Sequence, residues 1–406
     1  MKKIAIIGGG ISGLYFANLL EKNKKYNYKI LEKRSFQQTL MKDYGYGIQL
    51  SPNSIKLLNK IGFKKIPLKE IYFPEKVNFY NAKNCKIICE IDLRKFNNED
   101  NRYTTLGRDT LLSFLEEKIP TEKIILDTQI CGDIKYEKNI FDLEYKTTSI
   151  APIPINLGGD GRSHLATTYE EQFNYLIASD GVFSKTRSKI FEEKLEPAFN
   201  GTIALRGMIF DKNITNISVY LGSNFHFVVY PIDQSGNCNF VAIIKKELAV
   251  TEFWKLLHEY KNYDFNQKTS LSLQNEIAKK TSFKIENIIS TKYFLVYVSK
   301  KLDTPKQDKV FFVGDALYTF PPSFAQGASQ SIESSHEAFE AIEGENKNYY
   351  SKRSERINSI YLRSKINQYA FQFSNPLTVF FRDIGLKYLS KNEKFLESYL
   401  GKIYKN

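Results

Sequence analysis

The pattern of apolar positions near the N-terminus predicts a strand, a turn and a helix in immediate succession. Residues 3–7 form a short apolar run, three glycines follow, and residues 12–22 carry apolar side chains at helical spacing. A second apolar run, Tyr28 to Leu31, predicts the next strand. A strand, a glycine turn, a helix and a strand in this order make a βαβ unit, which predicts a parallel sheet.

Later segments predict a second, different sheet. Residues 175–178 and 310–313 are apolar runs typical of buried strands of the parallel sheet, and each lies just before an aspartate and glycine pair. Between them, residues 199–244 form strand-like segments with Gly and Asn turns, which predicts an antiparallel sheet joined by residues 72–91. We read residues 151–163 as a loop or hairpin tip.

The fold class predicted from these patterns is α/β. It consists of a Rossmann-like domain with a parallel sheet, an inserted mixed or antiparallel β-sheet domain, and C-terminal helices. The tail, residues 381–406, has leucines and an isoleucine on one side and lysines on the other. We expect the tail to pack on its own domain; contact of its basic side with an anionic membrane is the less favoured alternative.

Composition adds limits to this picture. The 406 residues are 42% hydrophobic and 25% charged, which excludes the disordered and disulfide-scaffold classes. The four cysteines form no paired CxxC units and the four histidines lack metal-site spacing, so we expect no metal site. The apolar run after the first lysines is too short for a signal peptide or a spanning helix, so we expect a cytoplasmic protein.

The net charge of +13 comes without any block of like charges, so a general compositional bias is the preferred explanation and attraction of an anionic partner the alternative. A basic protein attracts nucleic acid, an anionic membrane or an acidic small molecule. Nucleic acid is not expected, because the chain has no motif that combines aromatic and basic residues.

The turn after the first predicted strand has the GxGxxG spacing of dinucleotide-binding sites. Gly8 allows the tight turn, Gly10 lets the backbone approach a pyrophosphate at the helix N-terminus, and Gly13 allows close helix packing. Glu32 closes the next strand, where it can bind ribose hydroxyls and would repel a 2′-phosphate, which favours FAD or NAD. The candidate cofactor-binding residues of this unit are Gly8, Gly10, Ile11, Ser12, Gly13, Glu32 and Arg34.

Two further motifs give the chain a family resemblance. Residues 178–187, ASDGVFSKTR, resemble the DGxxSxxR element of the single-component FAD-dependent aromatic hydroxylases, and residues 314–333 resemble their GDAAHxxxPxxxQGxxxxxE element. The salicylate hydroxylase-like branch matches best, because it also has the sequence AQGA found here at residues 325–328. The resemblance covers residues 1 to about 360 and extends to shorter stretches, at residues 47–53, 106–109, 204–207 and 230–231.

The resemblance implies further cofactor-binding residues. Asp315 ends a strand, where its carboxylate can accept hydrogen bonds from a ribityl or ribose hydroxyl, although a helix-capping aspartate is the alternative. The helix that begins near residue 327 can direct its free N–H groups at the flavin ring, and Arg108 can pair with the pyrophosphate. For Asp180 the alternative is to cap the turn into residues 184–191. The candidates of this set are Arg108, Ile130, Asp180, Asp315, Gly327, Ala328 and Ser329.

Candidates for contact with a substrate are Arg206, Tyr230 and Pro322. The first two lie in predicted strands that should face the flavin across the domain boundary, with packing within the sheet as the alternative. His226 alternates with apolar neighbours, which indicates a sheet residue. No catalytic residue is assigned, because the cofactor carries the chemistry in this family.

The sequence departs from the family pattern at three positions. Tyr318 stands where the family has His, Ser329 where it has Asn, and Ser334 where it has an acidic residue. We expect these positions to tune the pocket and the helix, so they leave FAD binding in place and put substrate and turnover in doubt.

The mechanism that the resemblance implies is reduction of FAD by NADH or NADPH, reaction with O₂ to a flavin C4a-hydroperoxide, and transfer of OH to an aromatic ring. The expected partners are a small aromatic substrate, anionic to suit the positive charge, O₂ and NAD(P)H, with the protein a monomer or homodimer. One alternative is a polyprenyl-quinone-type hydroxylase at the membrane surface; another is a flavin-binding protein without turnover. A halogenase is disfavoured, because its WxWxIP element needs two tryptophans and Trp254 is the chain's one tryptophan.

The expected domains are assembled from separated segments. The FAD-binding domain would comprise residues 1–71, 101–189 and 301–345, and the substrate domain residues 72–100 and 190–300. Residues 346–406 would form a C-terminal helical segment.

Overall fold

The first βαβ unit forms as predicted, and it is the centre of a five-stranded parallel sheet. The computed structural model describes residues 1–35, 46–152, 162–246, 288–344 and 348–405. The strands are, in chain order, β1 (Lys2–Ile7), β2 (Tyr26–Leu31), β3 (Gly47–Leu50), β4 (Ile71–Tyr72), β5 (Lys76–Asn81), β6 (Ile87–Asp92), β7 (Thr104–Gly107), β8 (Ile124–Ile125), β9 (Thr128–Ile130), β10 (Lys135–Glu137), β11 (Ile140–Pro152), β12 (Arg162–Phe173), β13 (Tyr175–Ala178), β14 (Ala198–Phe210), β15 (Ile217–Gly222), β16 (Phe225–Pro231), β17 (Asn237–Lys245), β18 (Ile288–Val298) and β19 (Val310–Phe312).

The parallel sheet has the order β19-β13-β1-β2-β8, so strands from distant parts of the chain lie side by side. The side chains of β13 and β19 are all buried, as expected of strands covered on both faces by helices. The helices are α1 (Ile11–Asn23), α2 (Pro52–Asn59), α3 (Arg108–Glu116), α4 (Lys185–Phe191), α5 (Gly327–Ile342), α6 (Tyr349–Phe371), α7 (Pro376–Leu389), α8 (Glu393–Leu396) and α9 (Lys402–Tyr404), with a π-helical turn at Glu397–Gly401.

The second sheet has seven strands in the order β18-β14-β17-β16-β15-β5-β6. Its neighbours are antiparallel except β15 and β5, which are parallel, so the predicted mixed sheet is confirmed and residues 72–91 do supply strands to it. The long hairpin of β11 and β12 pairs up to Pro152 and Arg162; the tip, residues 153–161, lies outside the described residues. The α/β fold class is therefore confirmed.

Residues at the start of α6 cover the free edge of strand β19. The hydroxyl of Tyr349, at the start of α6, donates to the carbonyl oxygen of Phe312 at 2.6 Å, and that of Tyr350 donates to Val310 at 3.0 Å. Tyr350 also accepts the N–H of Phe312 at 3.2 Å. An edge strand with satisfied backbone groups does not recruit further strands.

The last residues of the predicted tail pack inward as expected, whereas Phe381, Ile384 and Tyr388, at its beginning, are exposed. Leu396, Leu400, Ile403 and Tyr404 are buried in a cluster with Tyr103 and with residues of the seven-stranded sheet. Among the described residues, no helix has both the length and the apolar composition that crossing a membrane would need.

Candidate active site

The carboxyl ends of three parallel strands and the starts of two helices meet at one edge of the parallel sheet. Gly8 follows β1, Ser179 follows β13, and Gly314 follows β19 after one residue. Backbone hydrogen bonds join these strand ends: Ser179 N donates to Ile7 O at 2.9 Å, and Val313 N to Ala178 O at 2.9 Å. Ligands of open α/β sheets bind at this edge, so the cleft here is the candidate site.

Glycine has a different physical reason at each of the three motif positions. Gly8 has φ +104°, and a Cβ there would lie 2.5 Å from the carbonyl oxygen of Ser179. A Cβ on Gly13 would collide with the carbonyl oxygen of Gly8. Gly10, by contrast, has extended backbone and no atom within 4 Å of where its Cβ would be. Two glycines are therefore needed by the fold, while Gly10 is open to the cleft.

Glu32 and Arg34 hold the glycine turn together. One carboxylate oxygen of Glu32 accepts the N–H of Gly9 at 2.5 Å, and the other accepts from the backbone and Nε of Arg34 at 2.8 and 3.1 Å. The Arg34 guanidinium also donates to the carbonyl oxygen of Gly9 at 2.8 Å. Arg34 is thus fixed beside the turn.

Arginines give the cleft a positive potential. The residue of Arg108 is exposed, but protein atoms around its guanidinium lower the pKa of Arg108, and the charges of Arg34 and Arg206 lower it further. Arg206 and Arg108 both act on Asp315, so the four charged groups lie within electrostatic reach along one cleft. Repulsion among three cations is relieved by an anionic ligand, which a dinucleotide pyrophosphate would supply.

Asp315 is a carboxyl group whose protonation is shifted by its position. Its residue is open to solvent along the cleft, yet protein atoms crowd its carboxyl on the other sides. This crowding raises the pKa of Asp315 to about 6, while the guanidiniums of Arg206 and Arg108 act in the opposite direction. The group therefore titrates below neutral pH, and at neutral pH it is mainly ionised and accepts hydrogen bonds.

We expect the Asp315→Asn substitution to stabilise the apoprotein in a pH-dependent way. Because the folded pKa is raised from the ordinary 3.8 to about 6, the folded protein binds more protons than the unfolded chain between these values. Stability is thus lost as pH rises through this window, and the asparagine variant escapes the loss. Melting temperatures of both apoproteins should differ little at about pH 4 and favour the variant at about pH 7.5. An equal difference at both pH values would contradict the shift.

Helix α5 begins at the opposite wall of the cleft. No side chain caps its N-terminus, Gly327 is exposed, and no atom lies within 4 Å of where a Cβ on Gly327 would be. Its first N–H groups and the positive end of its dipole therefore face open space, a favourable place for a negatively charged ring edge. Ala328 is half-buried beside it.

Ser329 differs from its neighbours at this helix start. Its hydroxyl is fully buried and lies 3.0 Å from the hydroxyls of both Ser51 and Ser54, at the start of α2. Its side chain therefore joins α5 to α2 and is not directed to a cofactor. The family's Asn at this position is replaced here by a residue that packs helices.

A buried polar network joins α5 to α2 and α6. Arg353 and Arg356, on α6, form ion pairs with Glu333 at 3.3 and 2.7 Å, and the amide of Asn53 also donates to Glu333. Burial acts to raise the pKa of Glu333, but the two guanidiniums outweigh it and hold the pKa below its ordinary value. The carboxylate is thus charged and fully paired, which fixes α5 relative to α2 and α6.

The contacts of Asp180 favour the structural alternative. One of its carboxylate oxygens accepts the hydroxyl of Ser184 at 2.6 Å, and the other accepts the N–H of Thr186 at 3.0 Å. Both oxygens therefore stabilise the start of α4. Ile130 is the last residue of β9. Thr128, two residues earlier in this strand, donates its N–H to the carbonyl oxygen of Glu32 at 2.9 Å.

The remaining departures from the family pattern are absorbed by packing. Tyr318 is buried between the rings of Phe320 and Tyr361, and burial raises its pKa to about 12. The hydroxyl of Ser334 accepts the N–H of Gly314 at 2.9 Å. His226 is a buried residue of β16, as predicted, and burial lowers its pKa to about 3.

Arg206, a sequence candidate for contact with a substrate, is a charged residue within electrostatic reach of Arg108 and Asp315. It lies on β14 with its guanidinium carbon 5.9 Å from the ring centre of Tyr46 and 5.7 Å from that of Phe294. Its Nε is buried and has no hydrogen-bond partner within the part of the chain that the structure describes. A buried donor without a partner costs free energy unless a ligand satisfies it.

Tyr230 is a buried residue within electrostatic reach of Tyr103. The hydroxyl of Tyr103 donates to the amide oxygen of Gln49 at 2.8 Å. The ring of Tyr103 also packs against that of Tyr404, in α9, with ring centres 5.6 Å apart. Burial raises the pKa of Tyr230 above its ordinary value, so its hydroxyl stays protonated. Pro322 begins a short helical turn, Pro322–Phe324, in which Phe324 packs in the same apolar cluster as Tyr230.

Sequence reasoning did not assign Tyr46, Gln49, Tyr103 and Tyr404 to the site. Gln49 lies in a stretch that resembles the family, so its position was a usable signal. The three tyrosines lie in no motif, and they reach Arg206 or Tyr230 through pairing between distant segments.

Comparison with known proteins places the chain among flavoprotein relatives. Residues 6–36 match the family described as NAD(P)-binding Rossmann-like domain. The chain is 23% identical over 261 residues to the 3-amino-4-hydroxybenzoate 2-monooxygenase PtmB3 of Streptomyces platensis, a match that covers 62% of this chain and 59% of that one. It is 21% identical over 362 residues to a salicylate hydroxylase of Pseudomonas putida, covering 82% and 75% of the two chains.

A solved structure has the same fold over the whole chain. The structure of Klebsiella pneumoniae HpxO complexed with FAD and uric acid superposes with a TM-score of 0.73 at 14% identity, covering 99% of this chain and 96% of that one. The resemblance to the single-component FAD-dependent aromatic hydroxylases, indicated by the motifs, is thus confirmed by the sequence relatives and by the fold.

Proposed function

We propose that the protein is an FAD-dependent monooxygenase that uses NADH or NADPH and O₂ to hydroxylate a small anionic aromatic substrate. The observation that carries this proposal is the arrangement of one cleft. The open backbone of Gly10 and two uncapped helix starts line the cleft, together with the three arginines. Arg206, flanked by aromatic rings, adds a site for a planar anion.

The residues present fit FAD. Gly10 and the start of α1 would hold the pyrophosphate, with Arg34 and Arg108 as counter-charges, and Glu32 would bind the adenosine ribose. Asp315 would bind a hydroxyl of the ribityl chain, and the first amides of α5 would face the flavin ring. When bound, FAD would supply electron transfer from NAD(P)H and activation of O₂, by the route that the family resemblance implies.

The substrate side of the cleft suits a planar acid. A guanidinium pairs with a carboxylate through two parallel hydrogen bonds, and Arg206 has a donor to spare. Tyr46 and Phe294 offer aromatic surface beside it. The relatives support this class, since their names include an aminohydroxybenzoate monooxygenase and a salicylate hydroxylase.

The test is a ligand screen on the purified holoprotein. Under anaerobic conditions, NADH or NADPH should bleach the flavin absorbance, and an aromatic carboxylate of the right shape should accelerate that step. Admission of O₂ should then give one hydroxylated product for each NAD(P)H oxidised. A flavin that no pyridine nucleotide reduces, with or without ligand, would contradict the monooxygenase and favour a binding protein without turnover.

We expect the Tyr103→Phe substitution to weaken substrate binding modestly and leave FAD content unchanged. It removes the hydrogen bond from Tyr103 to Gln49 beside Tyr230, worth about 1 kcal/mol, which should raise KM by roughly fivefold. Tyr399→Phe is the matched control, because it also loses one tyrosine hydroxyl, which bonds to Asn367 rather than to Gln49. Equal KM values for the two variants would contradict a positioning role for Tyr103.

A further inference from the structure

The last two long helices expose a row of large apolar side chains. On α7, Leu377, Phe380, Phe381, Ile384 and Tyr388 lie along one face, and their residues are 49–70% exposed. On α6, Leu362, Ile366 and Tyr369 lie along one face and are 57–58% exposed. These eight residues are called the α6/α7 apolar surface. Single exposed apolar residues are common, whereas five along one face of α7, with three more on the preceding helix, indicate an interaction site.

Helix α7 buries a charged side chain and exposes several apolar ones. Its charged Arg382 is buried, with its guanidinium 2.8 Å from the carboxylate of Asp383 and 3.4 Å from the carbonyl oxygen of Ala370 on α6. The helix packs against β6, and its Leu386 joins the buried cluster there. A surface helix normally buries its apolar side. In α7, the side that carries Leu386 packs against the protein, while the side that carries the five apolar residues is exposed.

The charged residues of α6 and α7 beside this surface are mainly basic. Between residues 357 and 392 the chain has five basic residues and one acidic residue. The acidic one, Asp383, is paired with Arg382. Lys365, Lys387 and Lys391 are exposed beside the apolar residues. The surface therefore combines exposed aromatic and aliphatic side chains with lysines that no neighbouring acid in this stretch neutralises.

We propose that the α6/α7 apolar surface binds the surface of an anionic lipid bilayer. Phenylalanine, leucine and tyrosine side chains enter the interfacial region, and lysines pair with anionic headgroups. A second copy of the chain fits less well, because a two-fold contact of this face would place lysines against lysines without acidic partners. The inward-packed end of the chain, residues 393–405, is not part of this surface.

The test uses the full-length holoprotein and vesicles of phosphatidylcholine with or without phosphatidylglycerol. Flotation should recover the protein with the vesicles that contain phosphatidylglycerol and not with the neutral ones, and high salt should reduce recovery. Phe380→Ser with Phe381→Ser should abolish binding. Lys387→Gln with Lys391→Gln should weaken it by roughly 30-fold, at about 1 kcal/mol for each lysine.

The matched control removes exposed apolar residues elsewhere. Leu68 and Phe210 are 68% and 48% exposed and lie outside the α6/α7 apolar surface. The variant with Leu68→Ser and Phe210→Ser should float like the wild type, and flavin absorbance should show that every variant is folded. Three results would overturn the proposal: no flotation with anionic vesicles, flotation that survives the phenylalanine substitutions, or a homodimer in light scattering that those substitutions dissociate.

Discussion

The Gly10→Ala variant should fold normally and be purified without FAD. No atom lies within 4 Å of where the new Cβ would be, and the residue has extended backbone, so the fold can accept alanine. The methyl group would instead project to the place where the pyrophosphate must approach the backbone. Charge-assisted hydrogen bonds to phosphate are worth about 1.5–3 kcal/mol each, so FAD affinity should fall by roughly 100-fold.

Alanine substitutions at two other glycines are controls that distinguish loss of FAD binding from a general effect of replacing glycine. Gly385, in α7, also has no atom within 4 Å of its Cβ position but lies outside the cleft, so Gly385→Ala should keep FAD. Gly13→Ala should lower the melting temperature of the apoprotein, because its Cβ would meet backbone. FAD titration and thermal melts of the apoproteins measure both properties. A Gly10→Ala variant that retains the flavin at wild-type affinity would remove the pyrophosphate from this turn.

The cofactor end of the cleft could be predicted from the sequence because its determinants are local. Gly8, Gly10 and Gly13 lie within six residues, and Glu32 closes the next strand of the same βαβ unit. The spacing alone therefore sets which backbone groups face a ligand. The same motif could not show that Arg34 would hold the turn through the carbonyl oxygen of Gly9. That contact depends on the path of the chain after β2.

The sequence was a poorer guide to the role of motif residues whose side chains can bind either a cofactor or the protein itself. Asp180 and Ser329 stand in family motifs, yet their side chains bond to Ser184 and Thr186 in one case and to Ser51 and Ser54 in the other. A motif gives the residue type and the strand end, while the direction of the side chain is decided by packing. The domain boundaries and the roles of the site residues accordingly stay predictions.

The C-terminal helices show the same limit for surfaces. The sequence predicts C-terminal helices and a tail at residues 381–406 with an apolar side, and Leu396, Leu400 and Ile403 do pack inward. Periodicity cannot decide which side of α7 meets the protein when both sides carry apolar residues. Burial of Arg382 and exposure of Phe381 follow from the position of β6 beside the helix.

Arg206→Gln should abolish the preference of the site for anionic ligands while leaving the flavin bound. In the wild type, an aromatic carboxylate such as a hydroxybenzoate should bind much more tightly than its neutral amide. Removal of one partner of a buried charge pair typically costs about 2–5 kcal/mol, so affinity for the carboxylate should fall by roughly 100-fold or more. Affinity for the amide should change little, since Tyr46 and Phe294 remain.

The Arg206→Lys variant tests whether geometry matters as well as charge. Lysine keeps the positive charge but lacks the planar pair of donors that matches a carboxylate, so its affinity for the acid should lie between those of the wild type and the glutamine variant. Ligand-induced changes in the flavin spectrum measure all three proteins against both ligands, and the unchanged flavin content is the control for folding. A carboxylate preference that persists in Arg206→Gln would move the anion site to another residue, and Arg108 would be the next candidate because it shares the cleft.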